Sequence, residues 1–337
     1  MKSMKSMKMD DIIQKLYIGM DIHEDYITGT AMGKDGVLEF SGNFRNTKEA
    51  AQCFLSGIPS PQVIIAVEAC GLWRGVYNML TDLGYCVVLA NPYKTHQIVG
   101  AKDIDKVNSE TLADLLRTGY LPQVYIPTED VFLLRDAARH RKRLVDVRTQ
   151  LKCMTRSYLM REGTKCPKGW SKESMEFFRN ANPYTAHFIN IIETINEQVK
   201  QINKVIKGIA CNTSLSNLLQ TVPGIGAFSS VMILGEIGDI KRFSHPKKLV
   251  KYAGLCPGIY QSGSKSYSVK DKACNKYLKW IMYECSGIAA RMDTKYQKHY
   301  WRVKRRKSQQ VARRSTARRM LTDVWFMLTH EKEFTPS

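Results

Sequence analysis

The 337-residue chain lacks any apolar run of about 18 residues, the length that would let a helix span a bilayer. Its opening stretch, MKSMKSMKMDD, is basic but lacks the apolar core of a signal peptide, and residues 1–15 read as a disordered tail. The nine cysteines, at 53, 70, 86, 153, 166, 211, 256, 274 and 285, never form a CxxC pair. That scatter argues against a zinc site or a disulfide framework and predicts reduced thiols in a cytoplasm. Acids are scarce: 31 Asp and Glu face 51 Lys and Arg, a formal net charge of +20. Such a field attracts a polyanion, and phosphates neutralised by it release their counterions, so nucleic acid is the leading partner. An anionic membrane would call for a basic amphipathic anchor with bulky apolar residues opposite, and none is evident; no membrane partner is expected.

What the chain does contain sorts into two or three folding units, since single cores rarely grow past roughly 250–300 residues. Over 16–127 strands alternate with helices. Residues 16–23 (LYIGMDIH), 25–32 (DYITGTAM) and 37–44 (VLEFSGNF) predict an antiparallel meander. A helix over 47–55 follows, then a strand at 62–67 (QVIIAV), continuously apolar as in a strand buried on both faces. A helix over 72–83 and a second buried strand at 85–90 (YCVVLA) complete the series. This order predicts a ribonuclease H-like α/β domain. A helical arm is expected over 128–212. Its second half carries Phe188, Ile191, Ile192, Ile195, Val199, Ile202, Val205 and Ile206 at helical spacing. The narrow stripe suits a coiled coil, antiparallel or between chains, with an oligomeric seam favoured over a helix packed on its own domain. A mainly helical unit with a helix-hairpin-helix-like turn should fill 213–337.

Four features could carry chemistry. Asp21 ends the first strand and Glu68 the fourth, while Asp105 and Asn108 open a helix read over 106–116. In a ribonuclease H-like sheet the first and fourth strands are neighbours, so Asp21 and Glu68 would converge. Carboxylates at the ends of apolar strands are costly unless paired or liganded, and a pair of Mg²⁺ ions needs such clustered oxygens. Second, Val222-Pro-Gly-Ile-Gly226 has the turn of a helix-hairpin-helix, in which Gly224 and Gly226 could offer backbone N–H groups to a phosphate. Third, Tyr260-Gln-Ser-Gly-Ser264 could expose a hydroxyl on a tight turn, with Lys265, Lys270 and Lys272 to stabilise an attacked phosphate. Fourth, a basic C-terminal region includes Arg302, Arg305, Arg306, Arg313 and Arg314, interleaved with Tyr296, Tyr300 and Trp301 that could stack on unpaired bases.

Taken in order, these motifs resemble the insertion-sequence 110 family of transposases and the related Piv DNA invertases. The resemblance runs from about Tyr17 to about Leu328. It rests on Ile18-Gly-Met-Asp21, Val67-Glu68-Ala-Cys-Gly71, the run from Asp105 to Ala113, Val222-Pro-Gly-Ile-Gly226, and the stretch from Phe243 to Gly263. It implies a RuvC-like domain with a DEDD set, which falls on Asp21, Glu68, Asp105 and, in the fourth place, Asn108. It also implies a serine nucleophile at Ser262, a structured non-coding RNA that pairs with donor and target DNA, Mg²⁺ or Mn²⁺, and a dimer or tetramer. Asn108 departs from the pattern: its carbonyl oxygen carries no charge, so metal affinity should fall unless Asp103 or Glu110 contributes. The competing readings are a metal-dependent nuclease of the Holliday-junction type and a nucleic-acid-binding protein that has lost catalysis.

Overall fold

Period-two alternation decides which side chains share a face of the first sheet. In the computed structural model, which describes residues 15–58, 62–99, 105–256, 258–262, 265–269 and 274–335 (backbone alone at 99, 105–107, 258–262 and 265–269), the chain divides into two compact units between Ile126 and Pro127. The first unit holds β1 (Leu16–Ile22), β2 (Tyr26–Met32), β3 (Leu38–Arg45), α1 (Lys48–Phe54), β4 (Val63–Glu68), α2 (Trp73–Asp82), β5 (Cys86–Ala90), α3 (Pro92–Val99), α4 (Asp105–Arg117) and β6 (Gln123–Val124). Its six-stranded sheet has the order β3-β2-β1-β4-β5-β6. β1, β2 and β3 are antiparallel; β4 lies parallel to β1, and β5 parallel to β4.

Along β1 and β4, Ile18, Met20, Val63, Ile65 and Val67 pack with Ala51, Leu55, Val76 and Leu80 from α1 and α2. The alternate residues Tyr17, Ile64 and Ala66 pack instead with Leu112, Leu115 and Leu116 of α4. Both faces are therefore covered, which is why β4 and β5 read as continuous apolar runs. The close approach of α4 depends on Gly19. A methyl group there would run into the Ser109 carbonyl and come within 2.6 Å of the Ala113 amide nitrogen. Ser109 also meets Thr30 of β2 through a buried hydroxyl pair at 2.8 Å. The short α3 and the two-residue β6 were not expected. β6 is too brief to leave a periodic signature.

The second unit begins with α5 (Glu129–Arg161), α6 (Lys172–Ala181) and α7 (Pro183–Asn212). At a rise of about 1.5 Å per residue, α5 is roughly 50 Å long. Cross-links from Arg141 to Asn203 (3.0 Å) and from Arg148 to Asn196 (2.9 Å) fix α5 and α7 as antiparallel neighbours. The stripe expected to form an oligomeric seam is thus covered within the chain. Ile189, Ile192, Ile195, Val199 and Ile206 are buried, while Ile191 and Val205 stay about half exposed. The reason is local: a turn after Arg161 and α6 return the chain alongside α5, and Phe178 of α6 closes the far end over Leu159, Ile189 and Ile192.

The same unit continues with α8 (Ser214–Gln220), α9 (Ala227–Ile237), α10 (Pro246–Tyr252), the antiparallel hairpin β7 (Gly258–Ser262) and β8 (Lys265–Val269), α11 (Lys276–Ala289), α12 (Lys295–Lys304) and α13 (Gln309–His330). α9 is buried from Ser229 to Ile237, and such a helix must be surrounded. Its apolar side chains share one core with Ala138 of α5, Ile206 of α7, Met282 of α11 and Met320 of α13. The arm and the C-terminal helices, separate in the sequence reading, are joined by this core. Among the described residues, no helix is long and apolar enough to cross a membrane.

Candidate active site and nucleic-acid interface

The parallel register of β1 and β4 pairs Met20 with Val67. Asp21 and Glu68 follow one residue later, at the same end of neighbouring strands and on the face that α4 covers. The Asp21 side chain is 13% exposed, and the Asn108 amide of α4 donates to its Oδ2 at 3.2 Å. His23 Nε2 stands 3.8 Å from the same oxygen. Burial raises the Glu68 carboxyl above the ordinary carboxylate range; nearby His96 partly offsets this, and the Asp21 charge adds to it. Thr28, opposite Asp21 on β2, buries a hydroxyl with no hydrogen-bond partner among the described residues.

Asp105 is the first residue of α4, one turn before Asn108, and its side chain is not described. Glu110 is exposed, on a different side of α4 from Asn108, so it does not join Asp21; Asp103 lies outside the described residues. Among the described residues, no group of three or more His, Cys, Asp or Glu is arranged to hold a metal. Oxygen ligands are nonetheless present in Asp21, Glu68 and the orphaned Thr28 hydroxyl. A raised carboxyl beside another carboxylate is an environment that a cation would relieve. Thr28 was missed in the sequence, although Thr28 and Thr30 mark one face of an otherwise apolar strand.

Ser262 is the last residue of β7, paired with Lys265 at the tip of the hairpin. Gly263, Ser264, Lys270 and Lys272 lie outside the described residues. The base of the hairpin is tied into the core. The Asn275 amide nitrogen donates to the Tyr252 carbonyl at 2.8 Å, and the Asn275 side chain donates to Glu236 Oε2 at 2.8 Å and to the Tyr252 hydroxyl at 2.9 Å. Glu236 is wholly buried on α9 and receives both arms of Arg139 from α5, at 2.7 and 2.8 Å. Residues on both sides of the hairpin thus converge on one buried, charge-assisted network. Nothing in the sequence pattern singled out Glu236, because a lone acid in an apolar helix gives no hint of its partner 97 positions away.

The glycines of the 222–226 turn serve different ends. Gly224 has φ +91°, and a methyl there would meet the Cys285 carbonyl at 2.7 Å, so this residue lets the turn pack on α11. Gly226 is exposed, and its N–H already donates to Ser229 Oγ at 2.8 Å. In the basic region, Arg305 and Arg306 are exposed after α12, and Arg302 donates to His299 Nδ1 at 3.1 Å. Arg313 and Arg314 bond the Tyr283 carbonyl (3.0 Å) and hydroxyl (2.9 Å), tying α13 to α11. The stacking role expected of Tyr296 and Tyr300 does not hold. Tyr296 is fully buried with its hydroxyl on Asp323 at 2.7 Å, and Tyr300 is 7% exposed; Trp301 is the exposed ring of the three. Helical phase explains this, since Tyr296 and Tyr300 fall one turn apart on the packed side of α12.

Comparison with known proteins decides the family. A model described as Transposase IS116/IS110/IS902 family matches residues 216–302, and a DEDD model of the IS110 type, described as Transposase, matches residues 18–162. The chain belongs to the IS110/IS116/IS902 transposases. This transposase is 22% identical to the transposase for insertion sequence element IS1328 of Yersinia enterocolitica, over 68% of its own length and 71% of the relative's. It is also 22% identical to the transposase for insertion sequence element IS1111A of Coxiella burnetii, over 78% and 72%. It is 25% identical to the pilin gene-inverting protein of Moraxella bovis, over 59% and 58%. The DEDD match covers Asp21, Glu68, Asp105 and Asn108, and the other match covers Ser262.

Proposed function

We propose that this transposase cuts and rejoins DNA through a covalent phosphoserine at Ser262, assisted by a divalent metal held by Asp21, Glu68, Asp105 and Asn108. The observation that carries the reading is the acidic edge of β1 and β4: two carboxylates on one face, the Glu68 carboxyl raised by burial, beside a buried hydroxyl without a partner among the described residues. Such oxygens suit Mg²⁺ or Mn²⁺, which would supply charge neutralisation at a phosphate oxygen. Asn108 can turn its carbonyl oxygen toward the ion in place of the amide that meets Asp21. The strand order of the first unit supports a RuvC-like fold, and the α8–α9 turn a helix-hairpin-helix.

In the chemical step, Ser262 Oγ forms a bond to a DNA phosphorus as the phosphorus bond to a sugar oxygen breaks. The serine proton is lost to a base or to solvent, and the departing sugar oxygen takes up a proton as a hydroxyl. Attack by the hydroxyl of another strand then forms the new phosphodiester and frees the serine. The number of phosphoester bonds is conserved, so no nucleotide triphosphate is needed. The same reading includes a structured guide RNA and a dimer or tetramer. Exposed cations such as Arg305 and Arg306 support backbone contacts, which position a strand and leave sequence choice to pairing.

The test is a covalent-adduct assay. The full chain, with RNA transcribed from the flanks of its element, is mixed with labelled element-end DNA and Mg²⁺, then denatured and resolved by size. Labelled DNA should migrate with the wild-type chain and not with Ser262→Ala. An adduct that survives Ser262→Ala removes Ser262 from the role. Cleaved DNA with no adduct supports the nuclease instead. No breakage in the wild type, but an adduct on restoring Asn108→Asp, identifies an inactivated recombinase.

A further inference from the structure

A cavity of about 650 Å³ opens in the second unit between the start of α10, α12 and α13. That size is ordinary for a small-ligand site. Its walls include Lys247, Cys256, His299, Arg318, Arg319 and Phe326, and no Asp or Glu lines it among the described residues. Lys247, Arg318 and Arg319 are exposed, and no described carboxylate pairs with any of them. His299 fixes the polarity of one wall. Arg302 has only protons to offer, so His299 Nδ1 accepts, the ring is neutral, and Nε2–H donates to Ser315 Oγ at 2.8 Å. Burial first, then Arg319, Arg302 and Arg318, holds the imidazole below its ordinary pKa. The cavity is therefore cationic with no counter-charge of its own.

Phe326 adds a second, independent feature. The residue is 48% exposed, off the buried stripe of Met320, Val324 and Met327 along the same helix. The cavity also borders Cys256, six positions before Ser262, so the chain between them can span no more than roughly 20 Å. At about 3.4 Å per nucleotide, that is within about six nucleotides of a phosphate at the serine. A free phosphate has no use for the ring, and a duplex keeps its base faces stacked inside. Exposed cations beside an exposed ring match a strand with an unpaired base.

We propose that this cavity takes one unpaired nucleotide of a nucleic-acid strand, its phosphate on Arg318, Arg319 and Lys247 and its base against Phe326. The placement near the reacting strand rests on the phosphoserine reading above, whereas the binding itself does not. The test is fluorescence anisotropy of the full chain in EDTA with labelled oligothymidylate, oligouridylate and a duplex of similar length. Phe326→Ala should weaken single-strand binding roughly tenfold, as expected for losing one stacked base, and leave the duplex within about twofold. Phe326→Trp should restore it. Arg318→Gln with Arg319→Gln should flatten the plot of log affinity against log salt by about 1.4 for single strands. Loss on thymidylate alone assigns the nucleotide to DNA, loss on uridylate alone assigns it to RNA, and loss on both establishes the shared chemistry. Unchanged single-strand binding, or equal weakening of the duplex, by a variant with the wild-type thermal midpoint overturns the proposal. No metal or strand breakage enters this assay, so its failure is distinct from failure of the adduct test.

Discussion

Glu68 carries a charge that its surroundings oppose. Its folded carboxyl is raised above the ordinary carboxylate range, first by burial and then by Asp21, with His96 offsetting part of the rise. The folded state therefore binds the proton more tightly than the unfolded chain does. Stability falls as pH rises from the ordinary carboxylate value through the raised one, and the whole penalty is present above that. Glu68→Gln removes it: in EDTA at neutral pH the thermal midpoint should rise by about 2 °C or more. A midpoint that falls would mean that Glu68 has a stabilising partner instead. Asn108→Asp should act in the opposite sense. It replaces an amide that donates to Asp21 with a like charge, so the metal-free midpoint should drop, while Mg²⁺ or Mn²⁺ should raise it further than in the wild type. An equal metal response in both proteins would remove position 108 from the ligand set. Asp21 and Glu68 were legible as strand-end acids in apolar runs. Thr28 and Phe326 were not singled out, because a threonine in a strand or a phenylalanine in a helix is usually structural. Their phase against the buried stripe was the signal available.

At the scale of elements, boundaries set by strong periodicity or capping were legible. The helical arm begins at Glu129 and ends at Asn212, within a residue of the expected 128–212, and the first five strands fall within a residue or two of expectation. The partners of those elements were less so. A narrow apolar stripe says that something covers it, and α5 of the same chain is as good a cover as a second subunit. The sequence around Ser262 signals a tight turn but not the β7–β8 strands that flank it, since Ser, Lys and Gly carry little strand signal. What anchors it was invisible, because Arg139, Glu236, Tyr252 and Asn275 come from four separate stretches. Removing Glu236 leaves Arg139 with an unpaired charge beside the core, and losses of this kind cost about 3–5 kcal/mol. Glu236→Ala should lower the unfolding free energy by that order in urea titrations. Asn275→Ala, which spares the Arg139–Glu236 pair, should cost less stability than Glu236→Ala yet reduce adduct formation at Ser262, because it frees one end of the hairpin. Full adduct yield from Asn275→Ala would show that the clamp does not position the serine.

At the scale of the whole molecule, the net charge of +20 conceals a division. Up to Ile126 the chain has 12 Lys and Arg against 14 Asp and Glu, leaving 39 against 17 from Pro127 onward. The excess positive charge therefore belongs entirely to the second unit, and the unit with the acidic edge is close to neutral. This separation is physically consistent with two tasks. Carboxylates that gather a metal would be drawn into ion pairs by a dense cationic surround, whereas a polyanion is best held by cations free of nearby acids. It follows that counterion release on binding should be governed by second-unit residues. Arg305→Gln with Arg306→Gln should reduce the slope of log affinity against log salt for duplex DNA by about 1.8, since each neutralised phosphate contributes about 0.9. Lys34→Gln with Lys48→Gln, which removes two exposed charges from the first unit, should leave the slope unchanged. Anisotropy titrations across a range of salt concentrations separate the cases. Equal flattening by both pairs would mean that the field acts through net charge alone, and no flattening by the arginine pair would place the nucleic-acid track elsewhere on the basic helices.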